Sequence, residues 1–172
     1  MYSISGQDKF VLDLIPKGSF LEIGAACAII TSNTYLLELN GWDGISIDIT
    51  RHWESEWLEN RKTPLIIEDA VTKDYTKLDK KYWDYISLDI EPASQTLSAL
   101  KKILADGLSF GIMTFEHEWY YDHSTKFESR EILTNAGYHL AHPDVQWSGG
   151  SYEDWWINPK TIDIKTAEAW QK

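Results

Sequence analysis

From Ser19 to Glu116, short apolar runs of strand length alternate with segments of helical spacing. A chain patterned this way is restricted to a mostly parallel sheet with helices on both faces. The strand-like runs are "SFLEIG", "GISIDI", "PLIIEDA", "WDYISLDI" and "FGIMTFE". Between them, "TSNTYLLELNG" offers Ser or Thr at a helix start and Gly41 at its stop. "HWESEWLENR" puts Trp53 and Trp57 on one helix face, and "PASQTLSALKKILADG" carries a stripe of Leu97, Leu100, Ile103 and Leu104. "DKFVLDLI" predicts a first helix, and "STKFESREILTNAG" a later one with a capping-box pattern from Thr125 to Glu128. Two runs, "YHLAHPDVQW" and "DWWINPK", close the pattern with only the glycine-bearing "SGGSYE" between them. A turn that short forms a hairpin, so the last strand enters antiparallel. The expectation is one α/β domain over residues 1–172, Rossmann-like, with a seven-stranded sheet whose last strand is antiparallel.

Composition narrows the function classes. A net charge of -11 argues against nucleic acid, whose phosphates call for clustered Lys and Arg. The longest apolar run, around Leu21 to Ile30, contains Glu22 and is too short to span a bilayer, so no membrane partner is expected. The start of the chain lacks the pattern of a secretory signal, and a single cysteine suits a reducing compartment; both point to the cytoplasm. Nine tryptophans are many for this length. Most belong in the core, and an exposed minority could stack on a sugar or other flat substrate.

Ligands of such sheets bind beyond the carboxyl ends of the strands, where strand order reverses. Gly24 to Ala28, Asp48 with Ile49, and Glu68-Asp69-Ala70 all fall there. Asp48 lies 26 residues beyond Glu22, near the spacing of a ribose-binding carboxylate. The glycine-rich fingerprint of a dinucleotide site is missing, because Gly24 is followed by Ala25, Ala26, Cys27 and Ala28. A cationic, phosphate-free cofactor tolerates that loop and favours carboxylates, which weighs toward S-adenosylmethionine and against NAD. The expected cofactor-binding residues are Glu22, Gly24, Ala25, Asp48, Ile49, Asp69, Ala70 and Asp89.

The stretch "FLEIGAACAIITSNTYLLELNGWDGISIDI", with "DYISLDIEPA", "IMTFEHE", "GYHLA" and "DWWIN", resembles the FkbM-like class I methyltransferases over nearly the whole chain. The resemblance implies a class I methyltransferase sheet, S-adenosylmethionine binding, and methylation of a hydroxyl on a small molecule or glycan. The chain departs from the family's pattern at Cys27-Ala28, where that family has Asp-Gly, and at Pro92, which replaces a glycine. Alanine fits such a loop so long as φ stays negative. A non-catalytic cofactor-binding domain, an NAD-dependent oxidoreductase and a partner-binding module stay open beside the enzyme.

Methyl transfer to a hydroxyl needs alignment and benefits from a base. The candidates at the ends of the fourth and fifth strands are Asp89, Glu91, Glu116, His117 and Glu118. Histidine titrates nearest neutrality, and the resemblance adds weight to His117, so His117, Glu91 and Glu116 are the expected catalytic residues. His52, His123, His139 and His142 read as surface or core polar groups. Asp89, Glu116 and His117 could meet around a metal, but their spacing is diagnostic of none, and no metal is expected. Cys27 has no implied base beside it and reads as a small packing residue. The acceptor's identity and the oligomeric state do not follow from the sequence.

Overall fold

The computed structural model describes residues 1–121 and 123–171. The strands are β1 (Ser19–Ile23), β2 (Asp43–Asp48), β3 (Leu65–Ile67), β4 (Tyr82–Leu88), β5 (Ser109–Glu116), β6 (His139–Trp147) and β7 (Gly150–Ile157). They form one sheet in the order β3-β2-β1-β4-β5-β7-β6. β1 to β5 pair in parallel, and β7 inserts antiparallel between β5 and β6. The antiparallel last strand follows from the absence of a crossover helix after β6. The turn is tighter than the sequence suggests, since Gly150 already belongs to β7.

The helices are α1 (Gln7–Leu14), α2 (Tyr35–Leu39), α3 (Glu54–Asn60), α4 (Ala93–Ala105), α5 (His123–Asn135) and α6 (Ile164–Glu168). Consecutive strand residues point to opposite faces, so each strand feeds both cores. Leu21, Ile86, Met113 and Trp156 join Leu97, Leu100 and Ile103 of α4 in one cluster. Their neighbours Phe20, Tyr85, Ile112 and Trp155 pack with Phe10 and Val11 of α1 in the other. Leu104 is only partly buried. Trp42, Trp57, Trp83, Trp155 and Trp156 are core residues, whereas Trp147 at the β6–β7 turn is exposed.

α5 begins at His123, which places Thr125 inside the helix and buries it rather than leaving it at the cap. The final helix, α6, escaped the sequence reading; at five residues it is too short to show a helical period. Among the described residues, no helix is long and apolar enough to cross a membrane.

Candidate functional site

Parallel pairing brings the carboxyl ends of β1, β2, β3, β4 and β5 to one edge of the sheet. β1 and β4 are neighbours there, which makes this the point where the strand order reverses. Gly24 turns the chain away from β1 with φ +87°, and a Cβ at that position would sit 1.6 Å from the Asp89 carbonyl oxygen. Only glycine permits this approach. The Gly24 and Ala25 amides donate to the Ile47 carbonyl at 2.9 and 3.2 Å, tying the loop to β2.

Ala26 corrects one sequence expectation. Its φ is +45°, in the left-handed region, so the loop does not keep alanine at negative φ. The strain, about 1–2 kcal/mol for a residue with a Cβ, is held by two contacts. The Ala26 amide donates to Asp48 Oδ2 at 2.9 Å, and its carbonyl accepts from the Trp57 indole at 3.1 Å. Ala26→Gly is therefore expected to raise stability by about 0.5–1 kcal/mol in urea unfolding, the gain left after glycine's greater backbone entropy. An unchanged or lowered midpoint would contradict the strain.

Two troughs flank Asp48 and share Gly24, Asp48, Ile49, Ile90 and Glu91. The inner one, about 540 Å³, is also walled by Ala26, Asn33, Trp53, Asp89 and Glu116. The other, about 290 Å³, adds Asp69, Ala70, Val71 and Gln95. A third, outer cavity of about 660 Å³ meets them at Glu91 and is lined by Ala93, Ser94, Glu118 and Tyr121. Among the described residues, no lysine, arginine or histidine lines any of the three. Asp48 accepts from the Ala26 and Thr50 amides, one on each oxygen, and remains half-exposed at the wall.

Gly24, Asp48, Ile49, Asp69, Ala70 and Asp89 thus converge, as do Glu91 and Glu116. Glu22 and Ala25 do not line the troughs. Glu22 is buried, accepting from Thr34 Oγ1 at 2.8 Å and Ser46 Oγ at 2.7 Å. Burial pushes its carboxyl up, with Arg61 pulling the other way. It fixes the start of α2 instead of touching a ligand. Ala25 is buried against α3 and contributes only through its backbone.

His117 is the larger correction. Its ring is wholly buried and lines none of these cavities. β5 ends at Glu116, and the next residue turns to the opposite side, where Nε2 lies 3.5 Å from Asp154 Oδ1. Neither ring nitrogen has a hydrogen-bond partner among the described residues. A group with no path to the troughs cannot take a proton from an acceptor there.

His117, Asp144 and Asp154 could each offer a ligand atom within 4.8 Å of the others. Cations already hold those carboxylates, however. Arg130 grips both oxygens of Asp154 at 2.7 and 2.8 Å, and Lys126 and Arg130 pair with Asp144. Despite the upward push of burial, these partners hold both carboxyls below their ordinary range. The cluster is a charge-balanced clamp between α5 and the β6–β7 hairpin.

The acidic wall has its own electrostatics. Leu88 pairs with Phe115 and Glu116 with Glu153, so Asp89, Glu116 and Glu153 follow one another across three strands. Burial, then the hydrogen bond and charge of Asp89, push Glu116 far above the carboxylate range. Burial also raises Asp89, offset in part by that hydrogen bond. Both carboxyls are therefore harder to ionise than free ones. Glu118 is buried with φ +44° and accepts from the Ala93 amide at 2.9 Å, at the start of α4.

Several wall residues were missed from the sequence: Gln7, Asn33, Gln95, Tyr120, Trp147 and Tyr152. They arrive from α1, the loop before α2, α4, the loop after β5, and the hairpin. No local pattern marks such residues; only the chain's folding back brings them together.

No family model matches the chain, and neither does any curated protein. Solved structures do. An rRNA methylase from Streptococcus thermophilus aligns with TM-score 0.61 at 15% identity, over 88% of this chain and 93% of that one. An N-methyltransferase from Bradyrhizobium japonicum, in complex with S-adenosyl-L-homocysteine, aligns with TM-score 0.58 at 13% identity, over 89% and 85%. An amino pentose methyltransferase from Micromonospora echinaspora, bound to S-adenosylmethionine, gives 0.61 at 10%, over 88% of each chain. An RNA enzyme stands among them, so the fold does not carry the exclusion of nucleic acid drawn from net charge. Strand order, the antiparallel β7 and these alignments together give the chain the Rossmann-like fold of the class I S-adenosylmethionine-dependent methyltransferases.

Proposed function

We propose that the protein is an S-adenosylmethionine-dependent methyltransferase of FkbM-like type, acting on a hydroxyl of a small molecule or glycan. The observation that carries this is the convergence of Asp48, the Gly24 turn and the Asp89–Glu116 pair on one trough without a cation in its wall. That donor set suits the cofactor. Asp48 is positioned to accept from ribose hydroxyls, and Ile49, Ala70 and Val71 offer an apolar slot beside Asp69 for a flat base. The anionic wall at Asp89 favours a positive centre, where a pyrophosphate would be repelled. Two proteins of the same fold hold S-adenosylmethionine or its demethylated product, which supports the assignment.

S-adenosylmethionine bound there supplies an electrophilic methyl group. The chain's part is to align the acceptor and receive its proton. Glu91 touches all three cavities and is placed to orient an acceptor entering from the outer one. Asp89, with Glu116 beside it in the wall, is the base. Tyr120, Tyr121 and Trp147 present exposed rings around the mouth, surfaces on which a sugar or ring can stack. With carboxylates and no cation around it among the described residues, the acceptor is uncharged or positively charged rather than phosphorylated.

Calorimetric titration tests the reading. S-adenosylhomocysteine is expected to bind and NAD not to; the reverse result would favour an oxidoreductase, and binding of neither a partner-binding module. Turnover is then sought with labelled donor across hydroxylated acceptors, and its absence across a broad set would favour a non-catalytic binder. Asp48→Ala should weaken S-adenosylhomocysteine by about 1.5–3 kcal/mol, the loss of a charged hydrogen-bond partner. Parental affinity in that variant would remove Asp48 as the ribose anchor.

A further inference from the structure

Buried carboxylates elsewhere in the chain are matched by a cation, Glu38 by Arg61 and Asp154 by Arg130. The outer cavity of about 660 Å³ differs. Glu91 and Glu118 line it beside Ser94 and Tyr121, with no cation in its wall among the described residues. Glu118 is only 5% exposed, and charges held that far from water are ordinarily paired. Its place is fixed by three hydrogen bonds. Oε2 accepts from the Ala93 amide at 2.9 Å, its own amide donates to the Tyr152 carbonyl at 3.0 Å, and its carbonyl accepts from the Tyr121 amide at 2.8 Å. The backbone holds φ +44° there, an unfavourable angle for a residue with a Cβ. Oε1 is left with no donor among the described residues, on a side chain that lines the cavity.

A second, independent feature stands at the same mouth. The Tyr120 and Tyr121 rings meet edge to face, with 4.8 Å between centres and 69° between planes, and both are exposed. Tyr120 rests on Gly150 of β7, where a Cβ would come within 3.2 Å of its ring. Aromatic faces and carboxylates attract the same kind of group, an organic cation. A neutral acceptor would use the rings and leave the Glu118 charge unmatched.

We propose that the outer cavity is an ammonium subsite: the acceptor carries a positively charged nitrogen that docks against Glu91, Glu118 and the Tyr120–Tyr121 corner while its hydroxyl reaches Asp89. This rests on the methyl-transfer reading above. Glu91 touches all three cavities, so an acceptor anchored beside it extends directly into the inner trough. The electrostatics agree in sign. Burial raises the Glu118 carboxyl, the Ala93 amide pulls it back, and the charges of Glu91 and Asp89 raise it again. A bound cation relieves that repulsion and favours the ionised form.

Choline carries a hydroxyl and a permanent cation. Its carbon isostere, with a tert-butyl group in place of trimethylammonium, has the same shape and no charge. Each is titrated into protein saturated with S-adenosylhomocysteine, in physiological salt to screen the net charge of -11, and followed by amide NMR. Choline should shift the Ala93, Ser94 and Tyr121 amides and bind at least about fivefold tighter than the isostere, the attraction of one unit charge at contact even in water. Glu118→Gln should weaken choline by about fivefold and leave the isostere unchanged. Glutamine keeps an acceptor for the Ala93 amide, so the start of α4 survives. If that variant misfolds, Glu91→Gln, at an exposed position, should weaken choline in the same way. Equal binding of the two probes, binding of neither, or shifts confined to other amides would overturn the proposal. If S-adenosylhomocysteine itself does not bind, the methyl-transfer reading falls, and choline titration of the free protein decides the subsite separately.

Discussion

Arg61→Ala is expected to lower stability by about 3–5 kcal/mol, enough to leave a domain of ordinary stability barely folded. The Arg61 guanidinium is fully buried and makes contacts in three directions. Nε donates to Glu38 Oε2 at 2.7 Å, and the terminal nitrogens donate to the Ala28 carbonyl and Thr34 Oγ1, each at 2.9 Å. Its face lies 4.1 Å from the centre of the Trp57 ring. Removing it leaves Glu38 without its cation and opens the seam that joins the loop after β1, α2 and α3. Thr34 also donates to Glu22, so the disturbance reaches the core of the sheet. Because this seam carries the Gly24–Ala28 loop, cofactor affinity should fall with stability. Urea unfolding with S-adenosylhomocysteine calorimetry checks both. A loss below about 1 kcal/mol would mean that the network contributes no more than a surface ion pair.

Glu116→Ala should behave in the opposite way, cutting turnover by about 10²–10⁴-fold while S-adenosylhomocysteine binding stays near parental. The substitution removes a carboxyl that lines the inner trough beside Asp89 and lowers its pKa. Asp89 alone loses the hydrogen bond that held its carboxyl down, so it ionises at higher pH. Parental activity should rise as pH increases through the ionisation of Asp89, which burial holds above the ordinary carboxylate range. In the variant the rising limb moves to higher pH and the plateau drops. Turnover within threefold of the parent, or affinity and activity lost together, would take the pair out of the chemistry.

Much of the fold was legible because period-two and 3.6-residue patterns are local. "GISIDI" has to be a strand buried on both faces, and the lack of a helix between "YHLAHPDVQW" and "DWWINPK" fixes the direction of β7. At the site, strand ends predicted Gly24, Asp48, Asp69 and Asp89 correctly as neighbours, since parallel strands deliver their carboxyl ends to one edge. The failures occur one residue beyond a strand, or in the choice of face. His117 and Glu116 are adjacent in sequence and lie on opposite sides of the sheet; Glu22 reads like a site carboxylate and is a core one.

The sequence by itself determined the order of elements, the single antiparallel strand and the edge to which the strands deliver their carboxyl ends, because alternation, turn length and strand ends are properties of neighbouring residues. Only the tertiary structure decided which carboxylates face the trough and which are neutralised by Arg61 or Arg130. It also decided that Ala26 sits at positive φ and that Gln7 meets Glu153 across the chain. Each of these depends on distance, burial and the charge of groups far apart in sequence, and those quantities exist only once the strands have paired.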